Sequence, residues 1–515
     1  MDIINDLPDE VMIEIFGNLS PHMLKSCNLV CKRWDDIISS SKELMSKFQL
    51  VLTDSEDYED AQELNKNHQK IIVQKLCSES LDTIRLYNLN TLKLCHCHDQ
   101  KLSDLVKAIR SLPMLKVFIA WEQKFEDDIA DIQNFEKIRI NMIKIECVSD
   151  IVRIFDCSSF TKVRLFWNHQ MSLEKKMLSY KFLSKQKNLK HLKLSEYPND
   201  NFFHSPEIFK KFQFNLESFG CFLPSVEMKH YKNIIKFLDS QKQSLTKLDI
   251  EIQPRDMFKL EEIQDYVLKH MFNLKDLRLD LSVKDEEGPE MEVHLQPTQV
   301  TKNIERLFYK GPQRSSAKCK RIIDLFPNIK HLHFESDYAR EFRVLKHVSK
   351  TKNNLESIQF LSFHSDVQNS YSVYFPNLKE LSSFAINDED SFSSFISRHS
   401  KTLERITIED VEDMTELTAD AIMKCENLKF VELGTWAENL LDVMSLFHDI
   451  SSRNKPLTFR HYFFSSKSTF KFPEDKIFWD EILGIEPEEE DLAPESSNVR
   501  EFFKAIWNGI NRIFS

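Results

Sequence analysis

Glycine is scarce in this chain, with 7 among 515 residues against 40 phenylalanines. So few glycines imply irregular turns padded by phenylalanine rather than tight glycine turns. There is no G-x-x-x-x-G-K-[ST] phrase, so nucleotide cradling has no support. No apolar run approaches the length of a membrane span, and no leader-like segment follows Met1. The ten cysteines are scattered without a framework of spacings, which points to a reducing compartment, cytoplasm or nucleus. Positive charge is also short, since 69 Lys and Arg face 81 Asp and Glu for a net charge of −12. That balance argues against a chain built to grip nucleic acid.

Catalytic constellations are poor as well. Cys95-His96-Cys97-His98 offers zinc-type ligands, but in an extended stretch the two thiols face one way and the two imidazoles the other. Four ligands cannot converge there without outside help, so no metal and no cofactor is expected. No serine, cysteine or histidine sits in surroundings that mark a nucleophile. The chain is expected to be no enzyme.

What is present begins at Leu7. Pro8 suits the first turn of a helix, where its missing N–H costs nothing, and Asp9 and Glu10 lie at the positive end of the helix dipole. Val11, Ile15, Phe16 and Leu19 then recur at helical spacing. Ser20-Pro21 is a stop and a fresh N-cap. Met23 and Leu24 open a second short helix, and Cys27, Cys31 and Trp34, with Ile37 and Ile38, form a further stripe. A segment this short does not normally bury several apolar stripes unaided, so a partner is expected to cover part of it.

The segment resembles an F-box, carried by Leu7, Pro8, Glu10, Val11, Ile15, Phe16, Leu19, Leu24, Val30, Cys31, Lys32, Arg33 and Trp34 in the family's order without gaps. Asn28 departs from the more often apolar pattern. The resemblance implies docking on a Skp-type adaptor and, through it, on cullin and RING subunits of a ubiquitin ligase. It places Leu7, Pro8, Val11, Ile15, Phe16, Leu24 and Val30 against the adaptor, with Trp34 locking the third helix.

Internal repetition is the second strong signal. A phrase L-x-x-L-x-L returns as Leu189-Leu192-Leu194, Leu245-Leu248-Ile250, Leu274-Leu277-Leu279, Ile329-Leu332-Phe334, Leu355-Ile358-Phe360, Leu403-Ile406-Ile408 and Leu428-Val431-Leu433. Weaker copies include Leu81-Ile84-Leu86, Leu115-Phe118-Ala120, Phe135-Ile138-Ile140 and Phe160-Val163-Leu165. From Phe160 onward the starts lie 23 to 30 residues apart, and an Asn often precedes the first framed residue, as at Asn273, Asn328, Asn377 and Asn427. Framed residues point one way from a short strand, and the segment before each strand supplies a helix, as in Glu261 to Phe272, Lys320 to Phe326 and Leu417 to Lys424. Each unit leaves an apolar side open that stacking closes.

This part resembles the leucine-rich-repeat family, although the usual Asn or Cys after the framed run is mostly missing. The expected fold is α/β: an N-terminal three-helix F-box, then a leucine-rich-repeat horseshoe solenoid with a parallel concave sheet and outer helices. Residues 1–46 form the first module, 47–80 a linker and cap, 81–456 the repeats, and 457–515 a C-terminal segment. In that last segment an acidic loop leads to an amphipathic helix marked by Val499, Phe502, Phe503, Ile506, Trp507, Ile510, Ile513 and Phe514, expected to dock as a cap, with engagement of a partner or membrane surface as the alternative.

Residues between the framed ones line the concave face: Arg85 and Tyr87, Ile119 and Trp121, Lys137 and Arg139, Lys162 and Arg164, His191 and Lys193. Lys137, Arg139, Lys162, Arg164 and Lys193 are candidates to receive an acidic or phosphorylated stretch of a target, with Trp121 and Phe166 as apolar anchors. The expected function is the substrate-recognition subunit of an SCF-type E3 ubiquitin ligase. The alternative is a non-degradative F-box and repeat scaffold. No nucleic-acid or membrane partner is expected.

Overall fold

The computed structural model describes residues 7–17, 19, 24, 27–48, 50–52, 68–75, 78–100, 102–120, 123–125, 144–148, 155, 160–166, 173–195, 211–223, 228–252, 257–280, 298–310, 316–335, 338–363, 373–386, 389–411, 416–435, 457–463 and 466–472. The chain divides into two compact units, Met1–Leu274 and Lys275–Ser515.

The first unit opens with helices α1 (Asp9–Gly17), α2 (Lys32–Ser40) and α3 (Lys42–Met45). Helix α1 starts where Pro8 directs it: the Pro8 carbonyl accepts from the Val11 and Met12 amides, both at 3.1 Å. Ser41 caps α3, its hydroxyl accepting from the Leu44 amide at 3.4 Å. Met12, Phe16, Leu24, Ile37, Ile38, Leu44, Met45 and Phe48 form one core, with Leu7, Ile13, Leu19, Cys27 and Trp34 packed at its border.

A parallel sheet follows, built from β1 (Leu50–Leu52), β2 (Lys70–Lys75), β3 (Thr91–Gln100), β4 (Val117–Ala120), β5 (Gln123–Phe125), β6 (Lys144–Val148), β7 (Lys162–Phe166), β8 (His191–Ser195), β9 (Ser218–Leu223) and β10 (Lys247–Ile252). The helices between them are α4 (Ser78–Arg85), α5 (Leu102–Arg110), α6 (Leu173–Ser184), α7 (Met228–Gln241) and α8 (Met257–His270). The register aligns Ile71, Leu92, Phe118, Ile145, Val163, Leu192, Phe219 and Leu248 in one continuous row. Every member of that row is buried. Phenylalanine fills the layer between strands and helices, as in the Phe219–Phe237 and Phe160–Phe182 ring contacts at 4.8 and 5.6 Å.

One reading of the sequence changes here. Leu81-Ile84-Leu86 is not a strand phrase: Leu81 and Ile84 are buried on helix α4, and the strand comes later, as Leu89-Leu92-Leu94. The i, i+3 step of the phrase fits a helical face as well as a strand phrase. Strands β1 and β2 fall within the stretch read as linker and cap. The Phe135-Ile138-Ile140 phrase lies outside the described residues, and a strand is found just beyond it at Lys144–Val148.

The second unit repeats the pattern. Its parallel strands are β11 (Asp276–Asp280), β12 (Arg306–Lys310), β13 (His331–Glu335), β14 (Ser357–Phe363), β15 (Glu380–Ile386), β16 (Arg405–Val411), β17 (Phe430–Thr435) and β18 (Leu457–Phe463), closed by antiparallel β19 (Ser466–Phe472). Helices α9 (Gln299–Asn303), α10 (Ser316–Asp324), α11 (Tyr338–Thr351), α12 (Glu389–His399) and α13 (Glu416–Met423) precede strands. Leu277, Leu307, Leu332, Ile358, Leu381, Ile406 and Val431 form its buried row. The fold is therefore the expected α/β one, a helical module followed by leucine-rich strand-and-helix repeats. The tail segment begins with β18 and β19, while the amphipathic helix expected after Asn498 lies outside the described residues.

Two side-chain ladders lock successive repeats. The Asn before the first framed residue donates to a carbonyl of the preceding repeat: Asn273 to Gln243, Asn328 to Lys302, Asn377 to Asn353 and Asn427 to Lys401, at 2.6 to 2.9 Å. The residue after the first framed one alternates in charge, giving Lys190–Glu217 at 2.7 Å, Lys330–Glu305 at 3.3 Å, Lys379–Glu356 at 2.9 Å and Lys429–Glu404 at 2.6 Å. Lys379 beside it holds the Glu356 carboxyl below the usual carboxylate range, chiefly through their hydrogen bond.

Candidate functional site

Helix α1 has two adjoining apolar stripes, about 100° apart. Met12 and Phe16 turn inward, and Phe16 is 2 % exposed with its ring edge-on to Trp34 at 5.2 Å. Val11 and Ile15, one residue earlier in each case, point out and are 38 % and 44 % exposed. After it Leu29 and Val30 lie in a turn, 77 % and 61 % exposed, where the Val30 amide donates to the Cys27 carbonyl at 3.1 Å. Pro8 is exposed too. Leu24 is fully buried, so Leu24 and Phe16 hold the module's own core and do not stand on its surface as the sequence reading had them. Leu7 and Trp34 are half-buried at the core border. Leu29 was not singled out from sequence, although it precedes Val30 directly.

Two cations brace this surface. Arg33 Nη2 donates to the Leu7 carbonyl at 2.6 Å and to Asp9 Oδ1 at 2.7 Å, tying α2 to the entry of α1. Lys47 Nζ donates to the carbonyls of Gly17 and Leu19, the latter at 2.8 Å, which places a positive charge at the negative end of the α1 dipole. The exposed residues therefore stand on a packed support, and their exposure does not come from a loose segment.

Residues 4–49 match the F-box-like family. The N-terminal module is an F-box-like domain. No curated protein matched the chain. Proteins with an F-box are typically non-catalytic adaptors, and the F-box-like domain here implies binding to a Skp-type adaptor. Among the described residues, no helix is long and apolar enough to cross a membrane, and no group of three or more His, Cys, Asp or Glu is placed to hold a metal.

Behind the F-box-like domain, the sheet face of the first unit carries part of the basic strip read from sequence. Lys162, Arg164 and Phe166 lie together on β7, Lys162 exposed and Arg164 over the Phe166 ring at 4.7 Å. Lys193 on β8 reaches across Gly220 to Asp249 at 3.4 Å, and a Cβ at Gly220 would meet the Lys193 Cγ at 3.2 Å. Glu146 on β6 is the register partner of Arg164. Arg85 and Tyr87 leave the face altogether: Arg85 lies on α4 and pairs with Asp82, and Tyr87 is buried. Trp121, Lys137 and Arg139 lie outside the described residues. Cys95 to His98 run consecutively along β3.

Proposed function

We propose that this chain is the substrate-recognition subunit of a Skp-, cullin- and RING-containing ubiquitin ligase. The F-box-like domain docks on the adaptor through Pro8, Val11, Ile15, Leu29 and Val30, and the repeat units hold the target. The observation that carries this reading is the exposed apolar surface over a separate packed core in a matched F-box-like domain. A single exposed apolar residue would mean little, but several on one short module favour a protein partner. Lys162, Arg164 and Phe166 support target contact on the first unit, since guanidinium and ammonium groups suit acidic side chains.

The chemistry would be proximity. Ubiquitin transfer occurs on the ligase's conjugating enzyme, and this chain raises the effective concentration of target lysines beside it. The test is co-purification of the full chain with adaptor and cullin, comparing wild type with a Leu29→Glu, Val30→Glu double variant. Wild type should bring down both partners and the variant neither. Adaptor without cullin would favour the scaffold reading, and no adaptor with wild type would end both.

A further inference from the structure

The second unit's sheet face is uneven. Strands β14 to β16 present the neutral Ser357, Gln359, Ser382 and Thr407 together with one charged pair, Glu380 and Arg405, 4.0 Å apart. Strands β11 to β13 instead present Asp276, Arg278, Arg306, Phe308, His331 and His333, in two registered rows of three. With strands about 4.8 Å apart, each row spans about 10 Å. In one row the Arg278 guanidinium lies over the Phe308 ring at 3.9 Å, and Phe308 meets His333 edge-on at 4.1 Å. Stacking of this kind fixes the guanidinium plane.

In the other row Arg306 stands 61 % exposed and is held to Asp276 at 3.5 Å. That distance is well beyond the 2.7 to 2.9 Å or so of a strong charge-assisted bond. Two lysines of the charge ladder contrast with it, Lys379 and Lys429 sitting 2.9 and 2.6 Å from their glutamates, while Lys330 is 3.3 Å from Glu305. An incoming carboxylate would compete with Asp276 for the exposed Arg306, beside a flat aromatic surface that favours an apolar neighbour.

We propose that this β11–β13 tile anchors an acidic segment of the target in which carboxylate side chains alternate with an aromatic one. Arg306 takes the carboxylate, the Arg278-stacked Phe308 with His333 takes the ring, and the period-2 alternation of an extended segment matches the two rows. The inference rests on the reading that the repeats hold a target.

The test uses the full chain bound to its adaptor and a fluorescein-labelled peptide of alternating glutamate and tyrosine, read by anisotropy, with the glutamine counterpart as control. The acidic peptide should bind and its counterpart should bind at least about tenfold more weakly. Arg306→Glu and Phe308→Leu should each weaken binding about tenfold with unchanged melting temperature, while Arg321→Glu, the same charge change on helix α10, should leave it within about twofold. Absence of binding by wild type, equal binding of both peptides, or indifference to Arg306→Glu and Phe308→Leu would overturn the proposal. Co-purification of the adaptor, scored on the same samples, reports on the broader reading separately.

Discussion

At the residue scale, neighbouring apolar side chains on α1 do opposite jobs. Phe16 fills the module's core against Trp34, so Phe16→Ala should cost about 3 to 5 kcal/mol of stability, seen as loss of the module's cooperative unfolding. Ile15 is largely outside that core. Ile15→Glu should therefore leave the melting temperature within a few degrees while reducing adaptor affinity by about a hundredfold in calorimetric titration. If both variants behaved alike, the division of the helix into a packed stripe and a docking stripe would be wrong. Gly434 on β17 makes a different demand. A Cβ there would sit 2.0 Å from the Glu409 carbonyl oxygen, backbone that cannot swing aside. The close approach coincides with the register shift between Ile408 and Val411, so this glycine permits the bulge.

At the scale of elements, repeats are held in order by groups that the framed leucines do not include. His399, at the end of α12, accepts the Phe375 amide on Nε2 at 2.9 Å, and its Nδ1 donates to the Phe395 carbonyl at 2.7 Å. That bonding needs the neutral ring. Burial above all, with Arg398 adding to it, pushes the imidazole down to about 4, against the pull of the Phe395 carbonyl. The folded pKa is thus below the unfolded one, so the unfolded chain binds the proton first on acidification. This contribution is complete above about pH 6.5 and is lost as pH falls toward about 4, amounting to about 3 kcal/mol. Urea unfolding across that interval should show the loss in wild type, and His399→Gln should flatten it. Gln241, the residue four before its own framed leucine as His399 is, already accepts the Leu216 amide in this way.

The charge ladder makes a second prediction at this scale. Lys379→Glu would face Glu356, and it would also break the alternation toward Glu404. The urea midpoint should fall at low salt and recover at about 1 M salt, where screening acts over about 3 Å. A loss that ignored salt would show that the lysine acts through packing instead.

For the whole molecule, the exposed face of the F-box-like domain links folding to partner binding. Adaptor at a hundredfold excess over its Kd should stabilise the domain by about 2.7 kcal/mol, and scanning calorimetry should show its transition moving up with adaptor concentration. A transition that stayed put at saturating adaptor would mean that the surface is not the docking site. Within a net charge of −12, both units carry cationic positions on their sheet faces, Lys162 and Arg164 on one and Arg306 on the other. Those among them that lack tight acidic neighbours are where a target's acidic segment gains most.

Local patterning was enough to announce a helical module at Leu7, repeats of strand and helix, and the Asn before each framed residue, because periods of 3.6 and 2 are written into contiguous residues. It was not enough at Leu81, where an i, i+3 spacing serves helix and strand alike, or on α1, where two apolar stripes look like one broad face until the core has chosen between them. Nor could it say which charges remain available. Lys193 meets Asp249 across Gly220, and Lys429 meets Glu404 one repeat away, pairings that exist only once stacking has brought distant strands side by side. Patterns within one element follow from chain geometry alone, but the partners of a charged or apolar side chain on its surface are set by register between repeats and by the packing beneath.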